Sequence, residues 1–269
     1  MKEKLMVAPT VTLTQEQIDF YHCEGYLVLP SLTTPEELIQ VRAIYDRLFA
    51  ERAGRAEGNQ FDLAGADEED HQATLPQILG PSRYAPELNN FLFKVNAMVI
   101  AEQLLGGECT AGEHAILKPA RYGSATPWHQ DEAYWNPDLE YNSLSVWMPL
   151  QDATVESGCM QFVPRSHLGG IIAHQPINND PRVHGLEAVS FDEREIVPCP
   201  IPAGAATVHH CRTLHYAGPN LTDEPRRAYI QVFGRPTKPS DTPRDFYWQR
   251  VQQTARMARR RATEEGSKR

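Results

Sequence analysis

Two short stretches of the chain carry residue types that chemistry can use together. The first is Trp128-His129-Gln130-Asp131, with an imidazole and a carboxylate two positions apart. Strand side chains alternate faces. A strand within Ser124 to Trp135 therefore turns His129 and Asp131 to one side and Trp128 and Gln130 to the other. Held side by side, one imidazole and one carboxylate make two-thirds of a facial iron site, which keeps positions open for substrates and oxygen. The second stretch, His215-Tyr216-Ala217-Gly218-Pro219-Asn220, offers another imidazole, and Arg226 follows His215 by eleven residues. At the start of a strand, that guanidinium can grip the far carboxylate of a dicarboxylic acid with two parallel hydrogen bonds.

These residues need a scaffold, and the hydrophobic spacing suggests one. Residues 14 to 25 read as a helix with Thr14 as N-cap, Gln17 at the capping-box position and Gly25 as stop. Ile18, Tyr21 and His22 share its apolar side, with His22 expected to be half-buried. Tyr26 to Pro30 is a short β-rich run, and Thr33 or Thr34 caps a second helix that keeps helical spacing to about Arg52. From Ala53 to Thr74 the pattern dissolves into Gly, Asp, Glu and Ala, as expected of a mobile loop, a lid or a linker. Tyr84 to Leu105 is helical in one or two pieces and ends at Gly106-Gly107.

Beyond that point the period changes. Thr110 to Lys118, Ser143 to Leu150, Met160 to Val163, Arg194 to Pro198, Ala205 to His210 and Ala228 to Phe233 are short β-like runs separated by Pro, Gly, Asn and Asp. Such spacing predicts an all-β sandwich or barrel. Asp241 to Arg261 closes the chain as a helix, with Arg256, Arg259, Arg260 and Arg261 expected on a solvated basic face. The expectation is one domain over 1–269: a helical part to about 107, a β core over about 108–236, and a C-terminal helix or tail over about 240–269.

Composition narrows the partners. Lys+Arg 26 against Asp+Glu 35 gives a formal charge of −9, which argues against a nucleic-acid partner because phosphate binding needs a basic footprint. The five cysteines form no CxxC pair, and an odd count does not suggest a disulfide framework. With no signal-peptide core and no run of 18 apolar residues, a cytoplasmic protein without a membrane partner is expected.

Trp128-His129-Gln130-Asp131 resembles the HxD motif of the phytanoyl-CoA dioxygenase family of Fe(II)/2-oxoglutarate oxygenases. Trp147, Ser157-Gly158-Cys159-Met160, Pro164-Arg165-Ser166-His167 and the block from His215 to Arg226 are similar to the rest of its signature, and the opening helices also match. The resemblance implies a double-stranded β-helix, or jelly-roll, core with flanking helices. It implies His129, Asp131 and His215 as metal ligands for Fe(II), Arg226 as anchor for 2-oxoglutarate, and Trp147 lining the cosubstrate. O2 is the third requirement. The implied reaction hydroxylates an unactivated C–H bond of a small metabolite and releases succinate and CO2. Related halogenases have Ala or Gly where Asp131 stands, so hydroxylation, or another two-electron C–H oxidation, is favoured over halogenation. His215 is preferred to His209 or His210 as third ligand because both Gly218-Pro219-Asn220 and the gap to Arg226 count from it.

One departure stands out. Many relatives carry Ser two residues after the distal His, where its hydroxyl helps hold the cosubstrate; here the residue is Ala217, with Thr126 and Lys118 as substitutes. Substrate contacts are expected from Tyr134 and Trp135, from Gln77 and Ile78, and from His210. His167 is expected to be structural, Arg227 exposed, and His114, His174 and His184 surface or packing residues. Two other readings stand beside this one: a zinc hydrolase using the same three ligands, with the metal activating water, and a non-catalytic jelly-roll protein that binds a metabolite.

Overall fold

The computed structural model describes residues 8–68, 72–193, 195–242 and 244–266. Helix α1 (Gln15–Glu24) begins where Thr14 accepts a hydrogen bond from the Gln17 amide (3.2 Å) and the Gln17 side chain accepts one from the Thr14 amide (2.9 Å). This reciprocal capping satisfies two amides that a helix start leaves without partners. Gly25 ends it at φ 81°, and a Cβ there would lie 2.3 Å from His167 Nδ1 and 2.7 Å from Thr213 Oγ1. Glycine is thus required twice over, by conformation and by the close approach of the segment that precedes His215. His22 lies on the exposed side of α1, not half-buried as its spacing suggested.

Helix α2 (Pro35–Ala50) is capped by Thr34 and buries Leu38, Val41, Tyr45 and Leu48, a stripe at helical spacing. Helix α3 (Leu92–Leu105) buries Phe93, Ala97, Ile100 and Leu104 and stops at Gly106. These side chains join Leu144, Val146, Met148, Val208 and Tyr229 in one core cluster. Each such aliphatic side chain contributes roughly 1.5–3 kcal/mol by leaving water, so the helices are held to the sheet mainly by this layer.

Eleven strands form the two facing sheets. In chain order they are β1 (Tyr26–Leu29), β2 (Gln60–Asp62), β3 (Pro76–Leu79), β4 (Thr110–Lys118), β5 (Thr126–His129), β6 (Ser143–Pro149), β7 (Met160–Phe162), β8 (Val197–Cys199), β9 (Ala206–His210), β10 (His215–Ala217) and β11 (Arg226–Gly234). The larger sheet runs β1-β9-β6-β11-β4-β3-β2 and the smaller runs β8-β7-β10-β5, with every pairing antiparallel. This mainly β arrangement with flanking helices is the jelly-roll expected. Alternation divides the larger sheet cleanly. Leu144, Val146 and Met148 of β6 meet the helices, while Ser145 and Trp147 line a cavity on the other face.

Five expectations need correction. The stretch 53–74 is not a free loop in its described part: residues 60–62 add the edge strand β2. Asp62 pins the return segment by accepting hydrogen bonds from the Ala64, Thr74 and Leu75 amides at 3.2, 3.0 and 2.9 Å. Buried Phe61 and Leu63 supply the apolar contacts that the Gly-rich composition obscured. Residues 69–71 lie outside the described residues. The C-terminal helix is two helices, α4 (Tyr247–Val251) and α5 (Ala255–Gly266). The break follows from tertiary hydrogen bonds: Gln252 donates to the Val183 and His184 carbonyls (3.0 and 2.9 Å) in extended conformation. Arg256 and Arg259 are not on a solvated face. Arg259 pairs with Asp67, and the Arg256 guanidinium sits 5.0 Å from the Phe61 ring centroid. Arg227 is half-buried and pairs with Asp46 at 2.6 Å. Finally, β8 covers 197–199 in place of 194–198, with Arg194 outside the described residues.

Candidate metal centre

The smaller sheet sets the two imidazoles side by side. In the antiparallel pairing of β10 with β5, His215 faces His129, and their ring centroids are 4.1 Å apart. The strand expected to carry both His129 and Asp131 stops at His129, and Asp131 opens a short 3-10 turn (Asp131–Tyr134). The chain turns there because Gln130 is held from three directions. It donates to the Gly170 and Arg212 carbonyls and accepts from the Ile172 amide at 2.9 Å. Behind the turn, Glu132 is fully buried and paired with Arg212 at 2.7 Å and Arg244 at 2.5 Å.

Three potential ligand atoms, one each from His129, Asp131 and His215, lie within 4.8 Å of one another. His129 Nδ1 is 2.7 Å from the Pro127 carbonyl and His215 Nδ1 is 2.9 Å from the Thr213 carbonyl. A carbonyl only accepts, so both rings carry their proton on Nδ1 and present the Nε2 lone pair. Those Nε2 atoms are 3.7 and 3.5 Å from Asp131 Oδ1. Burial lowers the pKa of His129, and burial together with the neighbouring His129 lowers that of His215 well below the usual value, so both are neutral near pH 7. Burial opposes ionisation of Asp131, but the adjacent histidines outweigh it and hold the carboxyl far below its ordinary range. Neutral imidazoles around an ionised carboxylate are the protonation states that binding a divalent cation requires.

The same atoms open into a cavity of about 380 Å³, a volume suited to small molecules. Arg226 lies in its wall at 1% exposure. Its Nε and Nη1 are buried with no hydrogen-bond partner among the described residues, and its guanidinium sits 5.4 Å from the Trp147 ring centroid. Burial pulls its pKa down to about 9, so it remains charged near neutrality. Unspent buried donors on a cation are costly unless an anion completes them. A dicarboxylate fits that demand, as a divalent cation fits the His-Asp-His donors.

Of the other expected site residues, Trp147, Thr126, Tyr134, Trp135 and Gln77 all line the cavity. Tyr134 also accepts a hydrogen bond from the Leu186 amide at 2.7 Å. Ile78 points to the helix side and joins that core. Lys118 and His210 require correction as well. Lys118 is fully buried beside Arg226, but its ammonium donates to the Ala217 carbonyl at 2.8 Å and to the Gly218 carbonyl. Its capacity is spent on backbone, and it does not line the cavity. His210 faces away on β9, where its Nδ1 accepts from the Arg212 amide at 3.1 Å and its ring lies against His167. Its neighbour His209 takes the inward position.

Several cavity residues had no signal in the expected motifs. His114 and His184 line the cavity despite the surface or packing role expected of them, and burial lowers their pKa values to about 4 and about 3. His174 is a packing residue, its Nε2 accepting from the Gln130 amide at 3.2 Å. Ser145, Gln249, Gln252 and Arg256 are further polar lining groups that were not foreseen. Ser145 was recoverable, since it stands two residues before Trp147 on one strand. Residues 249, 252 and 256 arrive from the far end of the chain, and no local pattern announces them. Gly158 has a clear role: at φ 85° its absent Cβ would lie 2.2 Å from the Gly218 carbonyl oxygen, so glycine lets the two motif segments touch.

Comparison with known proteins agrees with this geometry. The crystal structure of EvdO2 from Micromonospora carbonacea var. aurantiaca superposes with a TM-score of 0.79 at 40% identity, covering 90% of this chain and 99% of that one. A second EvdO2 structure, complexed with 2-oxoglutarate, gives 0.77 at 37% identity, covering 90% and 99%. The 2-oxoglutarate-dependent carbocyclase SnoK from nogalamycin biosynthesis shares the fold, with a TM-score of 0.67 at 24% identity over 91% of this chain and 94% of that one. Among curated proteins, phytanoyl-CoA dioxygenase domain-containing protein 1 of Bos taurus is 30% identical over 118 residues, which is 42% of this chain and 40% of that protein. The family model for phytanoyl-CoA dioxygenase matches residues 21–228, which include all three clustered side chains and Arg226, and the chain belongs to that family of dioxygenases.

Proposed function

We propose that this protein is an Fe(II)- and 2-oxoglutarate-dependent oxygenase that hydroxylates a C–H bond of a small organic metabolite. The observation that carries the reading is a pairing within one cavity. Two Nε2 lone pairs and a carboxylate oxygen converge at one point, while a buried arginine offers unspent donors at another. Neither a zinc hydrolase nor a passive metal-binding fold gives those donors a task. The 2-oxoglutarate complex of EvdO2 supports the same assignment.

In this account His129, Asp131 and His215 hold the iron. When bound, iron couples oxidative decarboxylation of 2-oxoglutarate, giving succinate and CO2, to oxidation of the substrate by O2. The chain's own groups bind, orient and exclude water. The Pro127 and Thr213 carbonyls lock both imidazoles in the tautomer that frees Nε2. Arg226 pairs with the distal carboxylate of 2-oxoglutarate through two charge-assisted hydrogen bonds, and Trp147 flanks the guanidinium. Thr126 stands opposite Ala217 in the β5–β10 pairing, and both line the cavity. Its hydroxyl takes over the contact that Ser makes in many relatives. Tyr134, Trp135 and Gln77 shape the space left for the substrate, where apolar lining exceeds polar and water is kept from the reacting carbon. Asp131 fills the position left open in halogenating relatives, which supports oxygen transfer as the outcome.

The test is a metabolite screen for substrate-stimulated succinate release, followed by mass analysis under 18O2. Hydroxylation predicts a product one oxygen atom heavier, labelled from O2, in proportion to succinate. A substrate consumed with matching succinate but no oxygen gain contradicts hydroxylation, and cyclisation or epimerisation would then be the outcome.

A further inference from the structure

His209 is nearly fully buried at 2% exposure, and neither ring nitrogen has a hydrogen-bond partner among the described residues. An imidazole sealed away from water without partners is an expensive arrangement. The groups around it show what it serves. β9 pairs with β6 so that His209 lies directly opposite Ser145, and both side chains face the cavity. Ser145 Oγ donates to Asp131 Oδ2 at 2.7 Å, and His209 Nε2 stands 3.3 Å from that same oxygen. The other carboxylate oxygen, Oδ1, is the one facing the Nε2 atoms of His129 and His215. Phe162 and His215 pack against the His209 ring, at centroid distances of 5.5 and 4.2 Å.

We propose that His209 and Ser145 form a cross-strand clamp on Asp131 Oδ2, so that Asp131 offers Oδ1 alone to the metal. This rests on the reading of His129, Asp131 and His215 as ligands. A carboxylate can bind through one oxygen or two, and binding through two would occupy a position that the cosubstrate or oxygen needs. Two donors on Oδ2 engage its lone pairs and fix the carboxylate plane. The 3.3 Å contact lacks an aligned N–H, and a small rotation of the carboxylate as Oδ1 meets a cation completes it. His209 is therefore a positioning residue, donating from Nε2. The clamp comes from the larger sheet and the imidazoles from the smaller, so Asp131 is the point where the two sheets jointly define the centre.

Anaerobic titration of the metal-free full chain with Co(II), followed by its visible absorption, tests this without turnover. Three variants separate donation from packing. H209F keeps a ring of similar size but no donor, H209Q keeps a donor but no ring, and S145A removes only the hydroxyl. The clamp predicts that H209F weakens Co(II) binding by about 10- to 100-fold, with weaker absorption as Oδ2 joins the coordination sphere. H209Q recovers most of the affinity, and S145A loses part of it while melting like the wild type without metal. The reverse order, with H209F binding like the wild type and H209Q impaired, assigns His209 to packing and overturns the clamp. Should H209F fail to fold, S145A decides, and unchanged affinity and spectrum there also overturn it. A wild-type chain that binds no Co(II) removes the metal centre itself, and the clamp with it.

Discussion

The two ends of the cavity are built on opposite principles. At the metal end, each group is fixed by its own hydrogen bond: His129 and His215 through backbone carbonyls, Asp131 through Ser145, and the turn beneath them through Gln130. At the mouth, the wall is assembled from distant segments, with Leu63 and Gln77 from one side of the chain and Gln249, Gln252 and Arg256 from the other. The first end suits a reaction that demands one geometry. The second is anchored by side chains from segments far apart in the chain, Gln249 on the Ala133 and Trp135 carbonyls and Gln252 on those of Val183 and His184, as expected where relatives on one fold select different substrates. The difference predicts that changes at the metal end remove function outright, while changes at the mouth alter what is bound.

The largest effect is expected from Asp131→Ala. Loss of a charged ligand should lower Fe(II) affinity by more than about 100-fold, beyond what loss of an outer partner costs, as read by anaerobic metal titration. Retained affinity would move the metal away from this residue. Glu132→Gln comes next and reports on the support beneath the centre. Weakening a buried carboxylate shared by Arg212 and Arg244 should cost about 3 kcal/mol in denaturant unfolding, at the low end for buried pairs because both arginines keep some solvent. Burial disfavours the Glu132 anion, yet the two arginines hold its pKa below the usual value. A group with a depressed folded-state pKa contributes stability above its unfolded value, near 4.3, and loses it as pH falls through the folded value. Acid destabilisation between those limits should therefore be shallower in Glu132→Gln than in the wild type.

Smaller changes sharpen the contrast. Thr126→Val should weaken 2-oxoglutarate binding by roughly fivefold, the worth of one neutral hydrogen bond, and adding Ala217→Ser should restore it. No loss in Thr126→Val would leave Ala217 without a substitute. Tyr134→Phe keeps the ring that packs edge-on to His129 at 5.9 Å and removes only the hydroxyl, so it should cost about 1 kcal/mol of stability by freeing the Leu186 amide, with Fe(II) affinity unchanged. A large fall in metal affinity there would erase the distinction between the two ends.

The sequence carried the metal end well because its signals are local. His-x-Asp, the distal His and the following Gly-Pro-Asn sit within short stretches, and the β5–β10 pairing sets the two imidazoles side by side. Even there, alternation gave the wrong reason for Asp131, which reaches the centre from a turn pinned by Gln130. His209 against His210 was a question of strand register, set by pairing with β6, where His209 meets Ser145, a partner distant in the chain that no local pattern encodes. Lys118 had the right face but the wrong destination, since two backbone carbonyls were within its reach. The stretch 53–74 misled because its order comes from single anchors, Asp62 and Phe61, set in a polar Gly-rich background. The helix break at Gln252 depends likewise on carbonyls of a segment nearly 70 residues earlier.

The most direct measurement is anaerobic titration of 2-oxoglutarate into the Fe(II)-loaded chain, wild type beside Arg226→Ala. Joint binding at one centre predicts a visible charge-transfer band that saturates with 2-oxoglutarate. In Arg226→Ala the same band should require about 100-fold more cosubstrate, the cost of two charge-assisted hydrogen bonds. A wild-type chain that binds Fe(II) but develops no band, or a titration that Arg226→Ala leaves unmoved, would contradict the account.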